Sequence, residues 1–190
     1  MKAMLKKIAQ ALVVIVFTIN IQAQEFSLVN SESSLTVSGT SSLHDWDIKA
    51  EQLNGNINFE NIEACKIKSL SFSVVAESLK SGKSGMDKNT YKALDTNNHK
   101  NITFQLTQVK NVTNKGQNIY TVDALGNLSI AGTKKQVNMQ FNITVENSKV
   151  KLKGEKALKM TYFNVEPPKA LFGTVTTGDE ITVKFSTTFK

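Results

Sequence analysis

The chain has 190 residues, a formal net charge of +7, 23 lysines and no arginine. Arginine is the side chain best shaped for phosphates and base edges, and the lysines here are scattered singly, so nucleic acid is excluded as a partner class. A single cysteine, Cys65, excludes an internal disulfide; the fold must rest on packing, and Cys65 is expected as a small buried hydrophobe.

Residues 1–23 precede the fold. "MKAMLKK" is basic, "IAQALVVIVFTINI" is a mostly apolar run and "QAQ" supplies small and polar residues, which is the order of a cleaved secretory signal. The apolar run is short for a span of about 20 residues. Cleavage is expected after Ala23, leaving one domain over residues 24–190, with the charge lowered to +4 by the loss of Lys2, Lys6 and Lys7. This predicts a periplasmic or secreted protein that is not integral to the membrane.

From residue 26 onward the hydrophobic period is two. "FSLV" opens the run, and "SLTVSG" aligns Leu35 with Val37. "HDWDIK" places His44, Trp46 and Ile48 on one face and Asp45, Asp47 and Lys49 on the other. "LSFSVVA" aligns Leu70, Phe72, Val74 and Ala76; "ITFQL" aligns Ile102, Phe104 and Leu106. "YTVDALGNLSI" gathers Tyr120, Val122, Ala124, Gly126, Leu128 and Ile130, and "VNMQFNITV" gathers Val137, Met139, Phe141, Ile143 and Val145. After "KVKLKGEKALKM", the segment "ITVKFSTTF" sets Ile181, Val183, Phe185 and Phe189 against Thr182, Lys184, Ser186 and Thr188. Such alternation marks antiparallel strands with one dry and one wet face. Turn signals fall at Asn54-Gly55, Lys115-Gly116, Ala131-Gly132, Asn147-Ser148 and Thr177-Gly178-Asp179. About eight strands result. "SGMDKNTYKALDT" has Met86, Thr90, Tyr91 and Leu94 at helical spacing and predicts a short helix over an opening or edge of the sheet. "EPPKALFG", with Pro167 and Pro168 before Gly173, predicts a turn or two of a second. Long strands and inward faces that mix bulky residues with Gly39, Ala124 and Gly126 favour a barrel over a sandwich.

Four stretches together resemble the YceI-like family of exported lipid-binding proteins: "VSGTSSLHDW", a serine-lysine-glycine loop into "MDKNTYKALDTNNHKNITFQL", "LGNLSIAGTKKQVNMQFNI" and "LKMTYFNVEPPKALFGTVTTGDEITVKF". The resemblance runs from about Phe26 to Phe189. It implies an eight-stranded antiparallel, lipocalin-like barrel around a long apolar tunnel, with isoprenoid chains or other long amphiphiles as ligands, and a carrier or sequestering role in the periplasm. The chain departs from the family in "LDTNNHKNITF", where a proline is usual, so the loop at that barrel edge is expected to differ.

The residues expected to line the lipid site are Val37, His44, Trp46, Ile48, Phe72, Val74, Phe104, Leu128, Met139, Phe141, Met160, Tyr162 and Phe172. Each of the aromatic and methionine residues, taken singly, reads first as core; as a set they make the apolar wall that a lipid tunnel requires. His44 has two readings. One is a buried, hydrogen-bonded histidine bracing the turn after "GTSS"; the other is a polar contact for a lipid head near the mouth. Adjacent strand residues point to opposite faces, so His44 and Asp45 do not converge on a metal, and no metal or cofactor is implied. No Gly-x-Ser-x-Gly elbow is present, His99 sits in the polar "DTNNHKN", and Asp95, Asp123, Glu166 and the Asp179-Glu180 pair have no evident catalytic partner. The sequence therefore predicts a binding protein for a long apolar amphiphile and not an enzyme, and it is compatible with a homodimer. Two alternatives stay open: an exported barrel hydrolase or isomerase acting on a lipid-like substrate, and a solid-core structural β-domain.

Overall fold

The computed structural model describes residues 24–146 and 148–190; the expected signal segment and its cleavage site at Ala23 lie outside them. Twelve strands and one α-helix follow in chain order among the described residues: β1 (Gln24–Ser27), β2 (Ser34–Ser41), β3 (Trp46–Ala50), β4 (Leu53–Asn61), β5 (Lys66–Val75), β6 (Leu79–Lys80), α1 (Ser84–Leu94), β7 (Asn101–Gly116), β8 (Ile119–Ile130), β9 (Thr133–Glu146), β10 (Lys149–Lys159), β11 (Lys169–Ala170) and β12 (Val175–Phe189). The count exceeds the eight expected because β1, β3, β6 and β11 are short pieces of two to five residues.

All pairings are antiparallel, in the order β1-β4-β5-β7-β8-β9-β10-β12-β2-β3-β6, with β11 on β12. The sheet curls until two of its strands meet. Ser27 and Lys190 exchange both backbone hydrogen bonds, at 2.7 and 2.9 Å, and Leu28 bridges Phe189. At this end β1, β4, β5, β7, β8, β9, β10 and β12 form a ring of eight strands. At the opposite end β2 and β3 join the wall beside β12, and β6 pairs the end of β3.

The alternation in sequence becomes the two faces of this wall. Tyr120, Val122, Ala124, Val137, Phe141, Ile143, Val150 and Leu152 are buried inside it. Thr188 is buried against expectation, because the chain between β1 and β2 covers it: its N–H donates to Ser33 Oγ at 3.0 Å and its hydroxyl to the Glu32 carbonyl at 3.2 Å. Lys115-Gly116 closes β7, one residue ahead of the turn at Gln117 and Asn118, and two further expected turns are strand interior. Gly55 sits inside β4 opposite Phe72, where a Cβ would lie 2.6 Å from the Ser71 carbonyl oxygen. Thr177-Gly178-Asp179 lies inside β12, where the register with β2 shifts. The Ala131-Gly132 turn forms as expected, with φ of 46° and 74°. The segment after Pro168 gives the two-residue β11 and a single tight turn at Leu171–Gly173 in place of a second α-helix.

Helix α1 lies across the wide end. Asp87 anchors its first turn by accepting from the Ser81 N–H at 2.8 Å and the Ser81 hydroxyl at 2.6 Å. These bonds hold the Asp87 carboxyl below its ordinary pKa. The Tyr91 hydroxyl lies 2.8 and 3.0 Å from the carbonyl oxygens of Glu77 and Leu79, which fastens the helix to the β5–β6 connection. Asp95, in the left-handed region at φ 48°, ends it.

Candidate binding cavity

The barrel is filled at one end and hollow at the other. At the closed end Ile57, Phe59, Leu70, Tyr120, Val122, Ile143, Val150 and Phe189 pack into one buried cluster. Phe26 and Phe59 meet edge to face, with centroids 6.1 Å apart. Cys65 is fully buried in this cluster, and its surroundings push the thiol pKa up to about 11, so it is an inert packing residue at neutral pH. The Tyr120 hydroxyl donates to the Glu63 carbonyl at 2.7 Å, which satisfies its one polar atom in this core.

The wide end encloses a cavity of about 840 Å³, within the usual range for small-molecule sites. Val37, Trp46 and Ile48 reach it from β2 and β3, Phe72 and Val74 from β5, Phe104 from β7, Leu128 from β8, and Met139 and Phe141 from β9. Met160, just past β10, also lines it, and Met86, Ala93 and Leu94 of α1 close the far side. Phe141 belongs both to this wall and to the packed cluster, so it marks the floor of the cavity.

Three expected residues stand elsewhere or otherwise. His44 is on the cavity rim but exposed, in the loop between β2 and β3. The turn is braced by Ser41, whose hydroxyl and backbone N–H both donate to the His44 carbonyl, at 2.7 and 3.1 Å. The imidazole Nδ1 lies 2.7 Å from the Asp45 carbonyl. His44 is thus exposed and not buried, because β2 ends at Ser41 and β3 begins only at Trp46; its backbone and not its ring takes part in the brace, and its ring stands at the mouth, where the other reading put it. Tyr162 stands off the cavity wall, half exposed, with its ring edge-on to Phe163 and under the Lys135 ammonium. Buried Phe163 takes the inward place instead, since the chain from Met160 to Asn164 is a tight turn and not a strand. Phe172 is fully exposed on the turn after β11, at φ 54°, and points away from the cavity. Asp45 and Asp47 face solvent; Asp47 accepts from Ser38 Oγ at 2.6 Å.

Hollowness has a visible cause in strand glycines. A Cβ on Gly39 would lie 2.2 Å from the Trp46 ring, one on Gly126 would lie 2.2 Å from the Phe104 ring, and one on Gly154 would lie 2.8 Å from Phe185. Each glycine leaves a flat patch of backbone against which an aromatic ring rests on the wall instead of projecting into the lumen. The Trp46 indole is fixed there by its N–H, which donates to the Thr40 carbonyl at 2.9 Å.

The YceI-like domain matches residues 15–189. The chain belongs to that family. No curated protein matches it by sequence. Its architecture is similar to that of BcnA of Burkholderia cenocepacia, with a TM-score of 0.68 and 16% identity over 85% of this chain and 98% of that one. A polyisoprenoid binding domain from Saccharophagus degradans, implicated in plant cell wall breakdown, gives a TM-score of 0.68 and 12% identity over 87% and 97%. The Campylobacter jejuni YceI protein gives 0.59 and 14% over 73% and 81%. At such identities the likeness is one of fold, a lipocalin-like barrel. No helix among the described residues is long and apolar enough to cross a membrane.

Proposed function

We propose that this YceI-like chain is an exported carrier that sequesters a long apolar amphiphile, such as an isoprenoid or another lipid, in the hollow half of its barrel. Export follows from the signal-like segment before Gln24, with residues 24–190 as the mature single domain. The observation that carries the reading is the apolar cavity of about 840 Å³ over a packed floor. It sets the carrier ahead of a solid-core structural domain. It also sets binding ahead of catalysis: the one histidine at the cavity sits on its exposed rim against a neighbouring carbonyl. A structural neighbour that is a polyisoprenoid binding domain supports the ligand class.

Binding would proceed by burial. Each methylene taken from water contributes about 0.8 kcal/mol. A 16-carbon chain therefore gains on the order of 12 kcal/mol before the association cost, itself about 4–15 kcal/mol. Long chains are held and short ones are not. Native mass spectrometry of protein purified from its own envelope fraction tests this. The expected result is a chain starting at Gln24 that carries a long-chain lipid, or takes one up when exposed to a lipid extract. Protein that neither carries nor acquires a lipid contradicts the reading.

A further inference from the structure

One inward position of β10 breaks the apolar rule of the wall. Leu152, Gly154, Lys156 and Leu158 alternate inward, while Lys151, Lys153, Glu155 and Ala157 are exposed outside. A lysine thus points in where its neighbour, a small apolar alanine, points out. Lys156 is half-buried, lines the cavity, and pairs across the ladder with Val183, itself a lining residue. Its place is the point where the wall splits: β10 leaves β9 after the Gly154–Phe141 pair and stays only on β12. At about 3.4 Å per residue, three residues separate it from the strand end at Lys159 by roughly 10 Å.

A half-buried ammonium in an apolar wall costs free energy unless something compensates it. The described residues supply no counter-charge. Among the described residues Lys156 makes no ion pair, and no aspartate or glutamate lines the cavity. Every other charged residue there is also a lysine: Lys83, Lys88, Lys159 and Lys169 on the exposed rim. Of these, Lys159 alone has carboxylates near it on the outer side, Glu180 at 3.7 Å and Asp179, whose carboxyl its charge helps to hold down. The charges that line the cavity are therefore of one sign, and low-dielectric walls strengthen their field.

We infer that Lys156 is an internal anion subsite and that the carried amphiphile has a single acidic head, a carboxylate or a phosphate, on its long apolar chain. The inference rests on the carrier reading and extends it from the chain to the head. The head would pair with the Lys156 ammonium at the wall split while the tail fills the space toward Phe72, Phe104 and Trp46. The rim lysines would draw the anion in.

The test uses three ligands with one tail, hexadecanoate, hexadecyl phosphate and hexadecanol, titrated into the delipidated mature chain. In the wild type the acidic heads should bind roughly ten- to a hundredfold more tightly than the alcohol, the range for a hydrogen bond to a charged group. Whichever acid gains more identifies the head as carboxylate or phosphate. Lys156→Met, similar in bulk and uncharged, should bring the acid-to-alcohol ratio close to one, and Lys156→Arg should restore most of it. Lys153→Met, on the outer face of the same strand, should leave the ratio as in the wild type. A thermal melt checks that each variant is folded. Three ligands bound with equal affinity by the wild type would overturn the anion subsite and leave the carrier standing. A ratio that survives Lys156→Met would overturn the assignment to Lys156. No binding of any of the three would remove the carrier reading itself.

Discussion

The two ends of the barrel share strands and share the inward alternation, yet one is solid and the other hollow. Strand β8 shows the change within twelve residues. At the closed end it presents Tyr120, Val122 and Ala124, all buried; at the wide end Leu128 and Ile130 line the open space, and Gly126 between the two ends is covered by the Phe104 ring. The difference is not one of hydrophobicity. At the closed end rings stand into the interior and meet one another, as Phe26 and Phe59 do. At the wide end they rest on glycine backbone: Trp46 on Gly39, Phe104 on Gly126. A cavity in this fold is made by pairing large residues with none at all, so that apolar surface is kept and volume is given up.

This comparison can be broken most plainly by truncating one ring at each end. Phe59→Ala, in the packed cluster, should cost about 3–5 kcal/mol in denaturant unfolding. Phe72→Ala should cost about 1–2 kcal/mol, because its lumen side has few packed atoms to lose. Equal costs would mean that the wide end is as solid as the closed one. Next in size, Gly39→Val should cost about 1–3 kcal/mol, as overpacking does, and should push the Trp46 ring off the wall. Its emission should shift, and lipid capacity should fall with it; an unchanged spectrum would remove the glycine-and-ring account.

A smaller effect concerns the lid. Asp87 has a depressed pKa in the fold, so its contribution is complete above the ordinary carboxyl value of 3.8 and is lost as pH falls below it. The protection of α1 against hydrogen exchange, taken relative to the intrinsic rate at each pH, should therefore fall on acidification below that value while that of the packed end holds. Asp87→Asn should abolish that pH dependence. The smallest effect belongs to the outer wall. Asp45→Asn with Asp47→Asn should change stability by no more than about 0.5 kcal/mol and leave ligand binding intact, since both face solvent.

Much of this was legible in the sequence where a side chain's direction follows from strand parity alone. Val137, Met139 and Phe141 alternate as read, and Trp46 and Ile48 turn inward together. Parity misleads where the strand stops. His44 lies before β3 begins and reaches only the exposed rim, while Tyr162 and Phe172 sit on tight turns beyond β10 and β11 and leave the cavity wall. Glycines were ambiguous for a related reason. Asn54-Gly55 and Gly178 carry turn chemistry, but long-range pairing makes them strand, and no local signal states which side a partner ring will approach. Lys156 was present in the pattern "LKGEKALKM" as a lysine at an apolar phase. It is meaningful only once the cavity is known to hold no carboxylate.

The central claim is that a long chain enters the hollow end and stops above the packed one. Trp46 is the single tryptophan and lies on that cavity's wall, so it reports on the hollow half alone. The most direct measurement is a titration of delipidated protein with a long-chain fatty acid brominated at mid-chain, which quenches an indole only at close contact. Saturable quenching of Trp46 at one equivalent, reversed by unbrominated acid of the same length and absent with a short-chain bromo acid, is the predicted result. Emission that no long-chain amphiphile alters in a saturable way would contradict it.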